Sequence, residues 1–272
     1  MKKIMVLGKT GMAGHMIYDY LTSLNKYDVV GTTRLEFDAL EFTTIQMKQF
    51  FTEQKPDVVI NCIGYINRGP TSNESDMIEL NTNLPNTLAA IGDELKFKLI
   101  HLSSDCAFDN TPYGKSKLAG EIRKDNHLTI RTSIVGPELK ENGIGLFHWF
   151  MKQSGYTNSY IDHKWNGVTT LQLAKKIKNE IVKENSQGIL DYRTEEIISK
   201  HDFLKLLMQK IGKYNVMLQQ TNTPVVDKTL SPEDSYDIKN VDSTTYTTQI
   251  QELRAWMIKE GDKYEQYVFE RY

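Results

Sequence analysis

The chain alternates short apolar runs with stretches of helical period from its first residues. Ile4-Met5-Val6-Leu7 is an apolar run, and His15 to Leu24 is amphipathic at helical spacing. Tyr27 to Thr33 reads as a second strand, and Ile45 to Gln54 as a helix whose apolar positions include Ile45, Met47, Phe50 and Phe51. Val58 to Cys62 predicts a buried strand. Asp76 to Leu95 predicts a helix in which Pro85 either bends the axis or marks the true first turn. Leu99 to Ser103 then reads as a strand, Ser116 to Arg123 as a helix and Leu128 to Thr132 as a strand. Repeated alternation of this kind predicts an α/β fold, a Rossmann-type doubly wound parallel sheet with helices on both faces. Such sheets bind ligands outside the carboxyl ends of their strands. Gly8, Cys62, Ser104 and Thr132 all fall at those ends.

Beyond about residue 135 the periodicity weakens. Leu146 to Gln153, Thr170 to Glu184, His201 to Lys210 and Ile250 to Glu260 read as helices, and Gly188 to Tyr192 as a late sheet strand. Residues 213 to 247 are polar, with Pro224, Pro232 and many threonines, and read as loops around a small lobe.

The first strand runs into Gly8-Lys9-Thr10-Gly11-Met12-Ala13-Gly14. A G-x-x-G-x-x-G turn between a strand and a helix lets a pyrophosphate approach the backbone at a helix N-terminus. Gly8-Lys9-Thr10 also looks like the end of a P-loop, but that motif needs a glycine where Lys3 stands. Gly8, Thr10, Gly11, Met12 and Gly14 are therefore expected to bind a dinucleotide. The second strand ends at Thr32-Thr33-Arg34 rather than at an acid, so Arg34 favours a 2′-phosphate and NADPH, with NADH as the alternative because Glu36 is near.

Ser104 and the pair Tyr113 and Lys117 supply candidate chemistry. Residues four apart share a helix face, and a nearby ammonium favours a phenolate. Bringing a tyrosine from ~10 to neutral pH requires about 3 units, or roughly 4 kcal/mol. In this reading Tyr113 is a proton donor, Lys117 lowers its pKa and Ser104 aligns a carbonyl oxygen. The bland alternative is an ordinary exposed helix pair.

Taken together, Gly8-Lys9-Thr10-Gly11, Lys55-Pro56-Asp57-Val58-Val59-Ile60-Asn61, Asn81, Ser104-Asp105-Cys106-Ala107-Phe108, Tyr113-Gly114-Lys115-Ser116-Lys117 and Ile130-Arg131-Thr132-Ser133 resemble the extended short-chain dehydrogenase/reductase superfamily. Within it the chain is most similar to the dTDP-4-dehydrorhamnose reductase group of sugar-nucleotide reductases. The resemblance implies residues 1–135 as a dinucleotide-binding Rossmann domain, with a returning segment near 165–193, and 136–272 mainly as a substrate-binding lobe. It implies that Lys117 also binds the nicotinamide ribose. Asp38 would hold the adenine end, although Glu41-Phe42 offers an alternative register. Cys62, Ile63 and Gly64 would wrap the cofactor through their backbone. Tyr65 would either join them or pack, and Lys164 and Trp165 would meet the sugar nucleotide. Asn81 is expected behind the site as a structural hydrogen-bonder, and His101 and His148 have no partner evident in the sequence.

Details of the match separate the subgroups. Cys106 stands where the sugar-nucleotide dehydratases carry a Glu, which argues against dehydration, and Phe108 resembles the reductase form. The group usually has roughly twenty residues between that Phe and the Tyr; here there is only Asp109-Asn110-Thr111-Pro112. Trp165-Asn166-Gly167-Val168-Thr169 also departs from the group's Gly-x-Pro-Thr. The implied activity is NADPH-dependent reduction of a UDP- or dTDP-linked 4-keto-6-deoxy sugar for cell-surface polysaccharide. The alternatives are a non-catalytic dinucleotide-binding subunit and a sugar-nucleotide epimerase.

The 272 residues suit one α/β unit with a small lobe, and a net charge of -2 implies no polyanion partner. Cys62 and Cys106 give neither a disulfide framework nor metal spacing, and read as thiols in a reducing cytosol. No apolar run approaches the ~20 residues that span a bilayer. The expectation is a soluble cytoplasmic protein with no nucleic acid, membrane or metal partner, and a homodimer as the assembly to look for.

Overall fold

The structure is a computed structural model, and it describes residues 1–66, 72–124, 126–183, 186–231 and 240–267. The chain divides into two compact units. One is Met1–Thr132 with Ala174–Asp191; the other is Ser133–Leu173 with the chain from Tyr192 onward.

The first unit is built on a six-stranded parallel sheet. Its strands are β1 (Lys3–Leu7), β2 (Asp28–Thr32), β3 (Val58–Asn61), β4 (Lys98–Leu102), β5 (Leu128–Arg131) and the late strand Gly188–Asp191. The spatial order is β2-β1-β3-β4-β5 and then Gly188–Asp191. The chain moves outward from β1 to β2 and then returns to β3 on the other side of β1. That reversal opens a crevice at the carboxyl ends of β1 and β3, where such sheets bind ligands. Ile4 to Leu7 and Val58 to Ile60 are buried, as strands covered on both faces require.

Helices α1 (Met12–Ser23), α2 (Thr44–Gln54), α3 (Glu74–Ile78), α4 (Leu84–Leu95) and α5 (Pro112–Ala119) also belong to this unit. Thr43 and Gln46 form a reciprocal capping box at the start of α2. Met47 and Phe51 of α2 pack with Leu84, Leu88 and Ile91 of α4 and with Phe97. The predicted helix from Asp76 to Leu95 is two α-helices joined by a π-turn over Glu79–Asn83. Pro85 sits in the first turn of α4, where its missing N–H costs no helical bond.

Two sequence expectations are corrected. Helix α5 starts at Pro112 and ends at Ala119, not Ser116 to Arg123. Thr111 caps it by accepting from the Gly114 amide at 3.0 Å. Tyr113 and Lys117 therefore lie on the same helix. Residues 213 to 247 are not all loop: Val216–Thr221 pairs in parallel with Gly155–Tyr160, and Val226–Lys228 with His163–Trp165. Residues 232 to 239 of that stretch lie outside the described residues.

In the second unit, the strand His163–Trp165 lies between Ile198–Ser199 and Val226–Lys228. Helices Lys200–Leu207 and Tyr246–Lys259 bury Phe203, Leu204 and Leu207, and Tyr246, Ile250 and Leu253, respectively. Among the described residues no helix is long and apolar enough to cross a membrane.

Candidate active site

The turn after β1 is held by its own backbone. Gly8 has φ +77°, a left-handed conformation that glycine adopts without strain. The amides of Gly8 and Lys9 both donate to the Thr32 carbonyl, at 3.1 and 2.9 Å, and tie the turn to the end of β2. A Cβ on Gly14 would lie 2.1 Å from the Gly8 carbonyl oxygen, so the first turn of α1 rests directly on the loop. Gly11 is the N-cap of α1, and no side chain caps this helix. Its first amides, beginning at Met12, have no side-chain acceptor at the cap, and Thr10 is exposed beside them. An uncapped helix start behind a glycine turn is suited to a phosphate.

At the end of β2 the polar groups are arranged differently from the sequence expectation. Arg34 is exposed, with its Nε 3.9 Å from Asp38. Asp38 also accepts from the Leu40 amide at 3.0 Å. The Glu36 carboxylate accepts from the Thr33 amide at 2.7 Å and from the Thr33 hydroxyl at 2.5 Å. Those bonds from Thr33 hold the Glu36 carboxyl below its ordinary range. An acid and a guanidinium thus both stand at this strand end.

The end of β3 is organised by two buried asparagines. Asn61 accepts from the Ile63 amide at 3.0 Å, and its Nδ2 lies 3.2 Å from His101 Nδ1 on the adjacent β4. Asn81, in the π-turn, accepts from the Tyr65 amide at 2.8 Å and donates to the Tyr65 carbonyl at 3.1 Å. Cys62, Ile63, Gly64 and Tyr65 are thereby fixed as backbone. Burial pushes the Cys62 thiol up to about 12, so it is inert as a nucleophile at neutral pH. The Tyr65 ring packs against the core and its hydroxyl accepts from the Asn73 amide at 2.7 Å, which is the packing role rather than a free side chain.

Ser104 caps a short 3-10 helix, Asp105–Phe108, and accepts from the Cys106 amide at 3.2 Å. Tyr113 follows on α5. Burial raises its phenol to about 12, Cys106 adds to the rise, and a Ser104 hydrogen bond opposes it. Lys117 is buried and donates to the Leu102 carbonyl at 3.0 Å. Burial brings its ammonium down to about 8, and Glu121 works in the opposite direction. The expectation that Lys117 lowers the Tyr113 pKa is corrected: burial dominates at Tyr113, and Lys117 is not among the groups that shift it. A phenol held neutral is the form from which a proton can be given.

These parts touch one another. A Cβ on Gly8 would meet the Ile63 side chain at 3.2 Å. A Cβ on Gly64 would lie 3.2 Å from Asn81 Oδ1 and 3.5 Å from Lys117 Nζ. Asn81 Nδ2 donates to Ser116 Oγ at 3.1 Å, and Ser116 in turn donates to the Tyr113 carbonyl at 2.7 Å. The glycine turn, the β3 end and the face of α5 carrying Lys117 form one continuous contact chain at the carboxyl edge of the sheet.

The profile of the RmlD substrate binding domain matches residues 1–256. The chain belongs to this family. RmlD-family membership places it among the extended short-chain dehydrogenase/reductases, as an NAD(P)-dependent sugar-nucleotide oxidoreductase. It is similar to a dTDP-4-keto-6-deoxy-D-glucose reductase of Streptomyces niveus, 23% identical over 76% of this chain and 78% of that one. Its fold is similar to that of a dTDP-4-dehydrorhamnose reductase of Bacillus anthracis solved with NADP, with a TM-score of 0.78, 15% identity and coverage of 94% and 99%. A GDP-mannoheptose C4 reductase of Campylobacter jejuni with NADP bound gives a TM-score of 0.72, 14% identity and coverage of 94% and 98%.

In this RmlD-family chain, two residues expected to meet the sugar nucleotide lie in the second unit and are placed differently. Trp165 stacks on Tyr246, with centroids 5.5 Å apart, and meets Phe203 edge-on at 5.4 Å. A Cβ on Gly167 would fall 2.4 Å from its ring. These contacts hold one side of a ring that is half-buried. Lys164 is exposed beside Asp227. Sequence reasoning missed the partners of two histidines: His101 meets Asn61, and His148 meets the Tyr267 hydroxyl at 2.8 Å and the Glu141 carbonyl at 3.0 Å. It also missed a fully buried network in which Arg131 donates to Glu121 at 2.8 and 2.6 Å and to Asp191 at 2.8 Å. Ser103 joins it through Glu121 at 2.9 Å. The signal available was an Arg ending an otherwise apolar strand, Leu128-Thr129-Ile130-Arg131.

Proposed function

We propose that this protein catalyses the NADPH-dependent reduction of the 4-keto group of a UDP- or dTDP-linked 4-keto-6-deoxy sugar, in the synthesis of cell-surface polysaccharide. The observation that carries the reading is the neutral, half-buried Tyr113 hydrogen-bonded to Ser104, one helical turn before the buried Lys117. The glycine turn and the uncapped start of α1 suit a dinucleotide. Gly8, Thr10, Gly11, Met12 and Gly14 would hold its pyrophosphate, and Cys62, Ile63 and Gly64 its central part. Lys117 would bind the nicotinamide ribose. When bound, the reduced nicotinamide supplies a hydride.

Ser104 aligns the ketone oxygen through its hydroxyl, which hydrogen-bonding to a developing oxyanion favours. Tyr113 gives its phenolic proton to that oxygen as negative charge develops there. Burial disfavours the phenolate left behind and so drives its reprotonation. Arg34 supports NADPH over NADH, although Glu36 at the same strand end is the group through which NADH would be held.

The test is to supply UDP- and dTDP-4-keto-6-deoxy sugars, made in place by a 4,6-dehydratase, and follow absorbance of NADPH and, separately, NADH. Oxidation that requires both the keto sugar and Tyr113, judged against Tyr113→Phe, is expected, with the faster rate on NADPH. Binding of NADPH without oxidation on any keto sugar would refute the reductase and leave a non-catalytic subunit. Interconversion of sugars without net oxidation would leave an epimerase.

A further inference from the structure

Two side chains from the end of α5 reach the end of β4. Lys117 donates to the Leu102 carbonyl at 3.0 Å. Four residues on, the Glu121 carboxylate accepts from the Ser103 hydroxyl at 2.9 Å. Leu102 and Ser103 are consecutive, and Ser104 comes next. Glu121 therefore braces the strand end that presents Ser104, and it lies within electrostatic reach of Lys117. Arg131 grips the same carboxylate through Nε at 2.8 Å and Nη2 at 2.6 Å, and donates from Nη1 to Asp191 at 2.8 Å. These three side chains are completely buried. The guanidinium carbon lies 4.4 Å from the ring centroid of Phe108, the last residue of the 3-10 helix that Ser104 caps. Arg123, half of it exposed, meets Glu121 from the solvent side at 3.5 Å.

The buried charges do not cancel among themselves. Two carboxylates against one guanidinium leave one negative charge. Such a cluster adds little stability over apolar packing of the same volume, because desolvation offsets the attraction. The Lys117 ammonium supplies the balancing positive charge. The other polar groups around it are neutral. They are the Leu102 carbonyl, Asn81 of the π-turn beside Gly64, Tyr113 on the same helix, the Cys62 thiol at the β3 end and His101 on β4. Burial, and then Lys117 itself, hold His101 well below the ordinary histidine range. Among the described residues Glu121 is the charged group that favours the ammonium, against the burial that favours its loss. An ammonium has three donors, enough for both the Leu102 carbonyl and a ribose.

We propose that Glu121 is a positioning residue for the reduction: its carboxylate, locked by Arg131 and Ser103, is the countercharge of Lys117 and fixes the strand end that carries Ser104. Asp191 and Phe108 hold the guanidinium for that task. The inference rests on the reductase reading for its chemistry, and its first readout needs no turnover.

The experiment follows Lys117 directly, through the NMR signal of its isotope-labelled Cε from about pH 6 to 10, assigned with Lys117→Met. Wild type, Glu121→Gln and Asp191→Asn are compared without sugar. Each variant takes one carboxylate from Arg131, so both should melt below wild type. Wild-type Lys117 is expected to titrate near about 8. Only Glu121→Gln should loosen its proton, by about tenfold. With NADPH and a keto sugar, kcat of Glu121→Gln should decline from a correspondingly lower pH and recover towards about pH 6, while Asp191→Asn keeps the wild-type profile. A damaged fold would not give that recovery. An unmoved Lys117 titration in Glu121→Gln, or an equal movement in both variants, would overturn the proposal and leave the reductase reading intact. A moved titration with no reduction of any keto sugar would refute the reductase, and with it the positioning role, while leaving the Glu121–Lys117 coupling. If Glu121→Gln melts too low to titrate, the triple variant Glu121→Leu/Arg131→Met/Asp191→Leu replaces the cluster with apolar side chains and is read by the same titration of Lys117.

Discussion

Replacing Lys117 by Met should make the protein more stable at neutral pH and less stable at high pH. Lys117 is 6% exposed, and burial brings its ammonium from 10.5 to about 8. The unfolded chain therefore holds that proton more tightly than the folded one. Between about pH 8 and 10.5 the unfolded state binds more protons, so this group's contribution to stability rises with pH across that window. Below about 8 the full cost is present. A difference of about 2.5 units corresponds to about 3 kcal/mol. Methionine removes that cost but leaves the Leu102 carbonyl, now 3.0 Å from Nζ, without its donor, which costs about 1 kcal/mol. The net expectation is a variant more stable by about 2 kcal/mol at pH 7 and less stable by about 1 kcal/mol at the top of the window. At roughly 2–3 °C per kcal/mol, the melting temperatures should differ by about 5 °C at pH 7 and cross before pH 10.5. The assay is a series of thermal melts of both proteins from pH 6 to 10.5, taking the difference at each pH so that other titrating groups cancel. A difference that does not change with pH would refute the reasoning, because it would mean that Lys117 is not strained by burial. The same substitution should abolish reduction, which would make Lys117 a residue kept for chemistry at the expense of stability.

Two further outcomes follow from the packing. Gly14→Ala places a methyl 2.1 Å from the Gly8 carbonyl oxygen, a backbone atom that cannot give way; NADPH affinity measured by fluorescence should fall at least about tenfold, and an unchanged affinity would remove the glycine turn from the cofactor site. Arg131→Leu removes the guanidinium shared by the fully buried carboxylates of Glu121 and Asp191; breaking such a network costs about 3–5 kcal/mol, so a melting temperature within about 2 °C of wild type would show that this network contributes little.

Much of the first unit was legible because its elements follow one physical rule each. Val58 to Ile60 and Leu99 to Ile100 are continuous apolar runs, the mark of strands covered on both faces, and they are the middle of the sheet. Alternation with amphipathic helices then fixed which ends would carry chemistry, and Gly8, Cys62 and Ser104 lie there. Helix α5 starts earlier than the apolar pattern suggests, at Pro112, and runs through Gly114. Gly114 is a contact glycine: a Cβ there would lie 2.3 Å from the Cys106 carbonyl oxygen and 2.4 Å from that of Asp109. Strands Val216–Thr221 and Val226–Lys228 were missed because they belong to small sheets with exposed faces, where half the side chains are polar and the apolar pattern fades. Trp165 was assigned to ligand on the strength of its position in the chain, yet which neighbours an aromatic meets is decided by elements far away in sequence, here Phe203 and Tyr246. The electrostatics of Tyr113 escaped for a similar reason. Spacing places a lysine on the same helix face, but only burial says which influence on the phenol is the larger.

The short link between Ser104 and Tyr113 is accounted for by the same contacts. Asp109 to Pro112 runs from the 3-10 helix Asp105–Phe108 into the first residue of α5, with no further element between them. Thr111 stops the link by capping α5, and Pro112 presets the first helical turn. Gly114 then lets the helix backbone close on the carbonyls of Cys106 and Asp109. Positioning the phenol against the serine hydroxyl therefore needs only these four linking residues and one glycine. A longer segment would add nothing to the acid and its partner. Its shortness bears on what surrounds the sugar, not on the proton transfer, so a search for the substrate should range over differently shaped keto sugars while holding Tyr113 as the fixed control.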